Sequence, residues 1–188
     1  MIDTTSQFVE KLIELKRVSK VVKGGKRLKL YACVVVGDGA GKVGIGHAKS
    51  AEVAPAIKKA TEIAKKKMVK VDVSEGTILH TVLGKFCASK VLLKPARPGT
   101  GIIASNAVRA VCEAVGIKNI LTKSLGSHNP TNLARATINA LSSIRPVRLV
   151  AEMRNKPLEY FIKKRSDEEK KEVKGDIKEE SNRQDKET

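Results

Sequence analysis

Residues 17–29, RVSKVVKGGKRLK, set six basic side chains and no acid around the pair Gly24-Gly25. That pair constrains the chain more than any other feature, because glycine tolerates the positive φ of a tight hairpin turn. The flanks alternate as strands do. Leu28, Leu30, Ala32, Val34 and Val36 fall on one face, with Lys29 and Tyr31 on the other. The pattern predicts a strand over 12–22, a hairpin, and a strand over 28–36. Gly37-Asp38-Gly39-Ala40-Gly41 makes a second turn into a strand over 42–48. A helix follows over 53–68, with Pro55 tolerable in its first turn. Val53, Ile57, Ala60, Ala64 and Met68 share its apolar stripe, leaving Lys58, Lys59 and Lys65 to Lys67 in water.

The second half reads differently. Residues 78–83 and 90–94 are strand-like, joined through Gly84-Lys85-Phe86-Cys87. The glycine-ended loop Pro95 to Gly101 leads to a helix over 104–115, with Val108, Val111, Cys112 and Val115 inward and Gly116 as its stop. Residues 117–125 make another strand. Asn129 then caps a helix that opens on Pro130 and runs to 141, and Arg145-Pro146 breaks the chain before a last helical stretch ending near Lys163. The expected fold class is α+β, as two small α/β domains over 8–71 and 76–163. The tail, 164–188, has only Val173 and Ile177 to bury and is expected to be disordered.

Charge narrows the function. Lys and Arg number 37 against 20 Asp and Glu, a net charge of +17. Residues 1–75 hold 16 basic and 8 acidic side chains, 76–162 hold 12 and 3, and 163–188 hold nine of each. The excess therefore sits in the part with a core, and it calls for a polyanionic partner. Aromatic residues at 3% with no Trp argue against a platform that stacks single-stranded bases. Cys33, Cys87 and Cys112 are distant and odd in number, which fits a reducing compartment and no zinc site. With no signal, transit or transmembrane pattern, a soluble intracellular protein is expected.

Several motifs fail on inspection. Gly39-Ala40-Gly41-Lys42-Val43-Gly44 spells a dinucleotide fingerprint, but its last glycine should open a helix and here continues a strand. It fails as a P-loop too, with valine at 36 and 43. His47, His80 and His128 have no catalytic partner at motif spacing, and Cys112 reads as an inert core thiol. The hairpin is the better signal, as a place where backbone and cations approach phosphates. Gly99-Thr100-Gly101, feeding a helix N-terminus, is a second candidate anion site. Arg109 is placed to pair with Glu113 or a neighbouring molecule.

The runs Arg17-Val18-Ser19-Lys20, Lys23-Gly24-Gly25-Lys26, Val35 to Gly39 and Gly41 to Gly46 resemble the bacterial small-subunit ribosomal protein S-five family. So do Gly99 to Ala104, Gly126-Ser127, Asn129-Pro130 and Arg135-Ala136-Thr137. The resemblance covers about residues 11–162. It implies a double-stranded-RNA-binding-like first domain and a two-layer α/β second domain. It also implies a scaffold role in the cytoplasmic 30S subunit, with 16S rRNA, proteins S-four and S-eight and the mRNA entry region as partners. No catalysis, cofactor, metal, membrane or homo-oligomer is implied. The RNA-binding residues would be Arg17, Ser19, Lys20, Lys23, Gly24, Gly25, Lys26, Arg27, Lys29, Lys42, Ser127, Asn129 and Arg135, with the S-four contact at Gly99, Thr100, Gly101 and Arg109. The rivals are an off-ribosome double-stranded-RNA binder and a small phosphotransfer enzyme. The second is weakened by the three acids, Glu113, Glu152 and Glu159, of residues 76–162.

Overall fold

The computed structural model describes residues 8–73 and 76–157. Its first sheet has the order β1 (Val9–Val22), β2 (Gly25–Gly37), β3 (Lys42–Ser50), β4 (Val69–Lys70), all antiparallel. Helix α1 (Val53–Lys66) follows β3. The hairpin forms as expected, with its turn one residue earlier. Lys23 and Gly24 make the turn, while Gly25, at φ +132°, opens β2 opposite Val22. A side chain there would be strained, so glycine is needed.

The one-faced reading of β2 is corrected by the structure, since every residue from Tyr31 to Gly37 is buried. Val34 and Val36 pack with Ala48 against Ala60 and Ala64 of α1. Val35 faces the other way, into a core shared with the second half. A run of apolar residues without alternation marks a strand covered on both sides. The approach of α1 is set by two glycines of β3. A Cβ at Gly46 would overlap the Ala60 carbonyl oxygen, and one at Gly44 would overlap that of Ala64.

The second sheet has the order β5 (Val82–Phe86), β6 (Ser89–Pro95), β8 (Ile120–Gly126), β7 (Ile102–Ile103), with only the β7–β8 pair parallel. Helices α2 (Asn106–Val115) and α3 (Pro130–Ser142) share the core with its inner face, where Val91, Leu93 and Ile120 meet Val111 and Leu141. The expected strand over 78–83 starts later and runs through Gly84, and the turn falls at Cys87-Ala88, with Cys87 at φ 52°. Gly84 is a packing glycine rather than a turn glycine, since a Cβ there would overlap the Ala136 carbonyl oxygen. The strand expected from 117 begins at Ile120, because the Lys118 and Asn119 amides both donate to the Gly76 carbonyl. The helix caps are as expected. Gly116 ends α2 at φ 94°, and the Asn129 side chain accepts from the Thr131 amide ahead of Pro130. Cys112 is a core thiol whose pKa burial pushes up to about 12.

The architecture is thus α+β in two domains, an antiparallel sheet with a helix and then a mixed sheet with two. Among the described residues, those from Arg145 onward form a separate unit, in which α4 (Val147–Met153) is the described element. The expected helical end near Lys163 and the tail 164–188 lie outside the described residues.

Candidate nucleic-acid interface

β3 pairs with β2 only from Leu30 onward, so residues 25–29 pair with β1 alone. The hairpin end is therefore a bare two-stranded ribbon. Its register sets Lys20 opposite Arg27 and Val18 opposite Lys29 on one face, and Ser19 opposite Leu28 and Val21 opposite Lys26 on the other. Arg17, Ser19, Lys20, Lys23, Gly24, Gly25, Lys26, Arg27 and Lys29 are all exposed. The ion pairs among the described residues are Lys11–Glu113, Lys16–Glu14 and Lys65–Glu10, and none involves the six hairpin cations. Like charges directly across strands destabilise by a few tenths to about 1 kcal/mol, so the Lys20–Arg27 pair is a local cost that an anion relieves.

The face carrying Lys20, Arg27 and Lys29 runs on through Tyr31 to His47 and Lys49. Lys16 stands 5.2 Å from the centre of the Tyr31 ring, and the Tyr31 hydroxyl lies 3.1 Å from Thr131 Oγ1 on α3. Arg135 donates from Nη2 to His47 Nδ1 at 3.2 Å and lies over the Phe86 ring at 5.1 Å. That hydrogen bond requires a neutral imidazole with its proton on Nε2. Burial depresses the His47 pKa first, and the positive charges of Arg135, Lys67 and Lys49 push the same way. Fold and register thus join Arg135 to the hairpin face. They add Lys16, His47 and Lys49, which sequence reasoning missed because no local signal marks residues gathered from β1, β3 and α3.

Other expected residues stand apart. Lys42 is exposed but opens β3 at the end far from the ribbon tip. Asn129 is occupied as the α3 cap, and Ser127 closes the β6–β8 end, its amide donating to Ala88 and its carbonyl accepting from Ser89 Oγ.

The anion site expected at Gly99-Thr100-Gly101 is overturned. The Gly99 and Gly101 amides both donate to Asn119 Oδ1 at 3.0 Å, and the loop enters β7 before α2 begins. A Cβ at either glycine would meet open space, and their φ values of +92° and +74° are what glycine supplies. Arg109 donates to the Ile102 carbonyl while Glu113 pairs with Lys11, so the expected Arg109–Glu113 pair is absent. Gly39 and Gly41, the start of the rejected fingerprint, donate to the Ala114 and Val115 carbonyls at 3.1 Å. Asp38 Oδ1 accepts from the Ala40 and Lys42 amides; although burial opposes it, these backbone donors hold the carboxyl below its usual range.

Comparison with known proteins agrees with this architecture. Residues 8–72 match the family described as "Ribosomal protein S5, N-terminal domain", and residues 84–154 match "Ribosomal protein S5, C-terminal domain". The chain belongs to the ribosomal protein S5 family. It is 52% identical to small ribosomal subunit protein uS5 of Lawsonia intracellularis over 81% of this chain and 93% of that one. With the uS5 protein of Thermotoga maritima the identity is 55%, over 84% and 88%. Membership of the S5 family makes this a ribosomal protein of the small subunit, with the association with the ribosome and its RNA that this implies, and not an enzyme. Among the described residues, no helix is long and apolar enough to cross a membrane.

Proposed function

We propose that this protein binds 16S rRNA through the basic ribbon, supports assembly of the 30S subunit and contributes to translational accuracy in the cytoplasm. The observation that carries the reading is the bare hairpin, whose six exposed cations make no ion pair within the described chain. Arg17, Lys20, Lys23, Lys26, Arg27 and Lys29 would neutralise phosphates. Ser19, Gly24 and Gly25 would let the backbone approach, and Arg135 would extend the interface beyond the ribbon. Lys42, Ser127 and Asn129 belong to the proposed RNA set with secondary weight, given their positions. No cofactor takes part.

The triple variant Lys23→Ala, Lys26→Ala, Arg27→Ala tests this. Each phosphate left without its cation lowers the slope of log affinity against log salt by about 0.7–0.9. The variant should bind 16S RNA more weakly and with a shallower slope, and its thermal stability should hold within about 0.5 kcal/mol. An unchanged slope refutes RNA binding by the hairpin.

The partner proteins are proposed as S-four and S-eight, near the mRNA entry region, with S-four at Gly99, Thr100, Gly101 and Arg109. Space around Gly101 is open, so an arginine placed there projects outward, at a cost of about 1–2 kcal/mol for its left-handed backbone. Gly101→Arg should raise miscoding in a reporter while subunit assembly stays near normal. Assembly failing first would remove the loop from the protein interface.

A further inference from the structure

The face of the first sheet that carries Lys20 and Arg27 changes character along its length. Lys11, Val35 and Ile45 form a cross-strand row that meets the second half, with Val35 fully buried and Lys11 paired with Glu113 of α2. Glu14, Cys33 and His47 form the next row, then Lys16, Tyr31 and Lys49, and beyond them Lys29 and Arg27 stand in water. His47 is thus an exposed residue on the line where cover ends. Arg135 reaches it across that line from α3, 3.2 Å from Nδ1, with the guanidinium over the Phe86 ring of β5. Lys49 of β3 and Lys67 at the end of α1 add their charge to that of Arg135. On β1, Lys16 is one row away and holds Glu14 Oε1 at 3.3 Å, on the far side of Cys33. On β2, burial keeps the Tyr31 hydroxyl and the Cys33 thiol protonated.

We infer that Arg135, His47 and Lys49 make a phosphate subsite completed by a proton, which His47 takes from solvent onto Nδ1 as RNA arrives, so that binding tightens as pH falls. In the free protein an arginine donor is set against a neutral ring nitrogen. A phosphate oxygen is the stronger acceptor, since both partners are then ionised. Once Nη2 of Arg135 turns to the phosphate, Nδ1 holds a free lone pair beside a negative charge, which favours its protonation. The imidazolium then donates to the same RNA backbone. Neither event is favourable alone. A proton without a phosphate adds a positive charge among Arg135, Lys49 and Lys67, and a phosphate without the proton faces a lone pair. Proton and phosphate therefore bind cooperatively, each raising the affinity for the other by the same factor. The surroundings hold the subsite in shape, because the Tyr31 hydroxyl lies 3.1 Å from Thr131 Oγ1 and the Phe86 ring supports the guanidinium.

The inference rests on RNA binding by this protein, and one set of titrations separates it from the hairpin reading. The affinity of the full-length protein for 16S RNA is measured at pH 8 and pH 6 at fixed salt. It should rise about threefold or more at pH 6, since each unit by which bound RNA lifts the His47 pKa gives about a factor of ten at the acid end. His47→Gln should flatten the profile, whereas His80→Gln and His128→Gln should keep it. His47→Lys, charged at both pH values, should bind at pH 8 about as the wild-type chain binds at pH 6. Thermal melting at each pH checks that the variants are folded, and a merely structural role for His47 would shift melting without removing the pH dependence of binding. A flat wild-type profile overturns the inference, as does a profile equally steep in His47→Gln. The hairpin reading stands in either case if Lys23→Ala, Lys26→Ala, Arg27→Ala weakens binding and flattens its salt dependence. If that triple variant keeps its salt slope while the His47 profile is present, the subsite stands and the hairpin reading fails.

Discussion

The two sheets solve the same burial problem in opposite ways. The first is covered on both faces along β2, by α1 on one side and by the core of the second half on the other. Yet it extends a ribbon with no cover at all. The second is covered along its length on its inner face and open along its length on the outer one, where lysine and leucine alternate with the buried valines and leucines. The difference is visible in residue order. Tyr31 to Val36 is an unbroken apolar run, whereas Lys90-Val91-Leu92-Leu93-Lys94 returns a charge to the surface at each end. A strand buried on two faces loses alternation, and a strand buried on one keeps it.

The sharpest way to break the comparison is to stop the first sheet from being covered. Gly46→Val drives a Cβ into the Ala60 carbonyl oxygen, and backbone cannot give as a side chain would. The loss should be about 3 kcal/mol or more, at the upper end of overpacking costs, and urea denaturation should show it. Gly24→Ala, on the bare ribbon with nothing within 4 Å, should move the same midpoint by a small fraction of that.

The second sheet can be tested within itself. Leu93→Ala removes a fully buried side chain and should cost about 2–5 kcal/mol, whereas Leu83→Ala on the open face should stay within about 0.5 kcal/mol. Equal losses would mean that the outer face is covered within the isolated chain, which contradicts its exposure.

The smallest effect concerns the join between the halves. The folded pKa of His47 is depressed, chiefly by burial and then by Arg135, Lys67 and Lys49, so the folded state binds fewer protons than the unfolded. The resulting stability is fully present above the unfolded pKa of about 6.5 and is lost as pH falls through the folded value. The melting temperature should fall between pH 8 and pH 5, and His47→Gln should make that fall shallower. A variant with an unchanged pH profile would show that the Arg135–His47 hydrogen bond does not link β3 to α3 in solution.

Much of the molecule was legible because its signals are local. The glycine turn with six cations, the capping Asn129-Pro130 and the stop at Gly116 each act through residues within a few positions, so sequence alone determined the hairpin, two helix ends and the sign of the partner. What escaped was set by packing between distant segments. Gly84 looks like a turn glycine, but its missing side chain admits α3. The Gly99 and Gly101 amides look free for an anion, but Asn119, some twenty residues on, takes both. Arg135 reads as one more cation until the fold sets it against His47. Local propensity and charge follow from neighbours along the chain. Which face of a strand is covered, and which amide or cation remains available, was decided only when tertiary packing brought remote groups within hydrogen-bonding and van der Waals range.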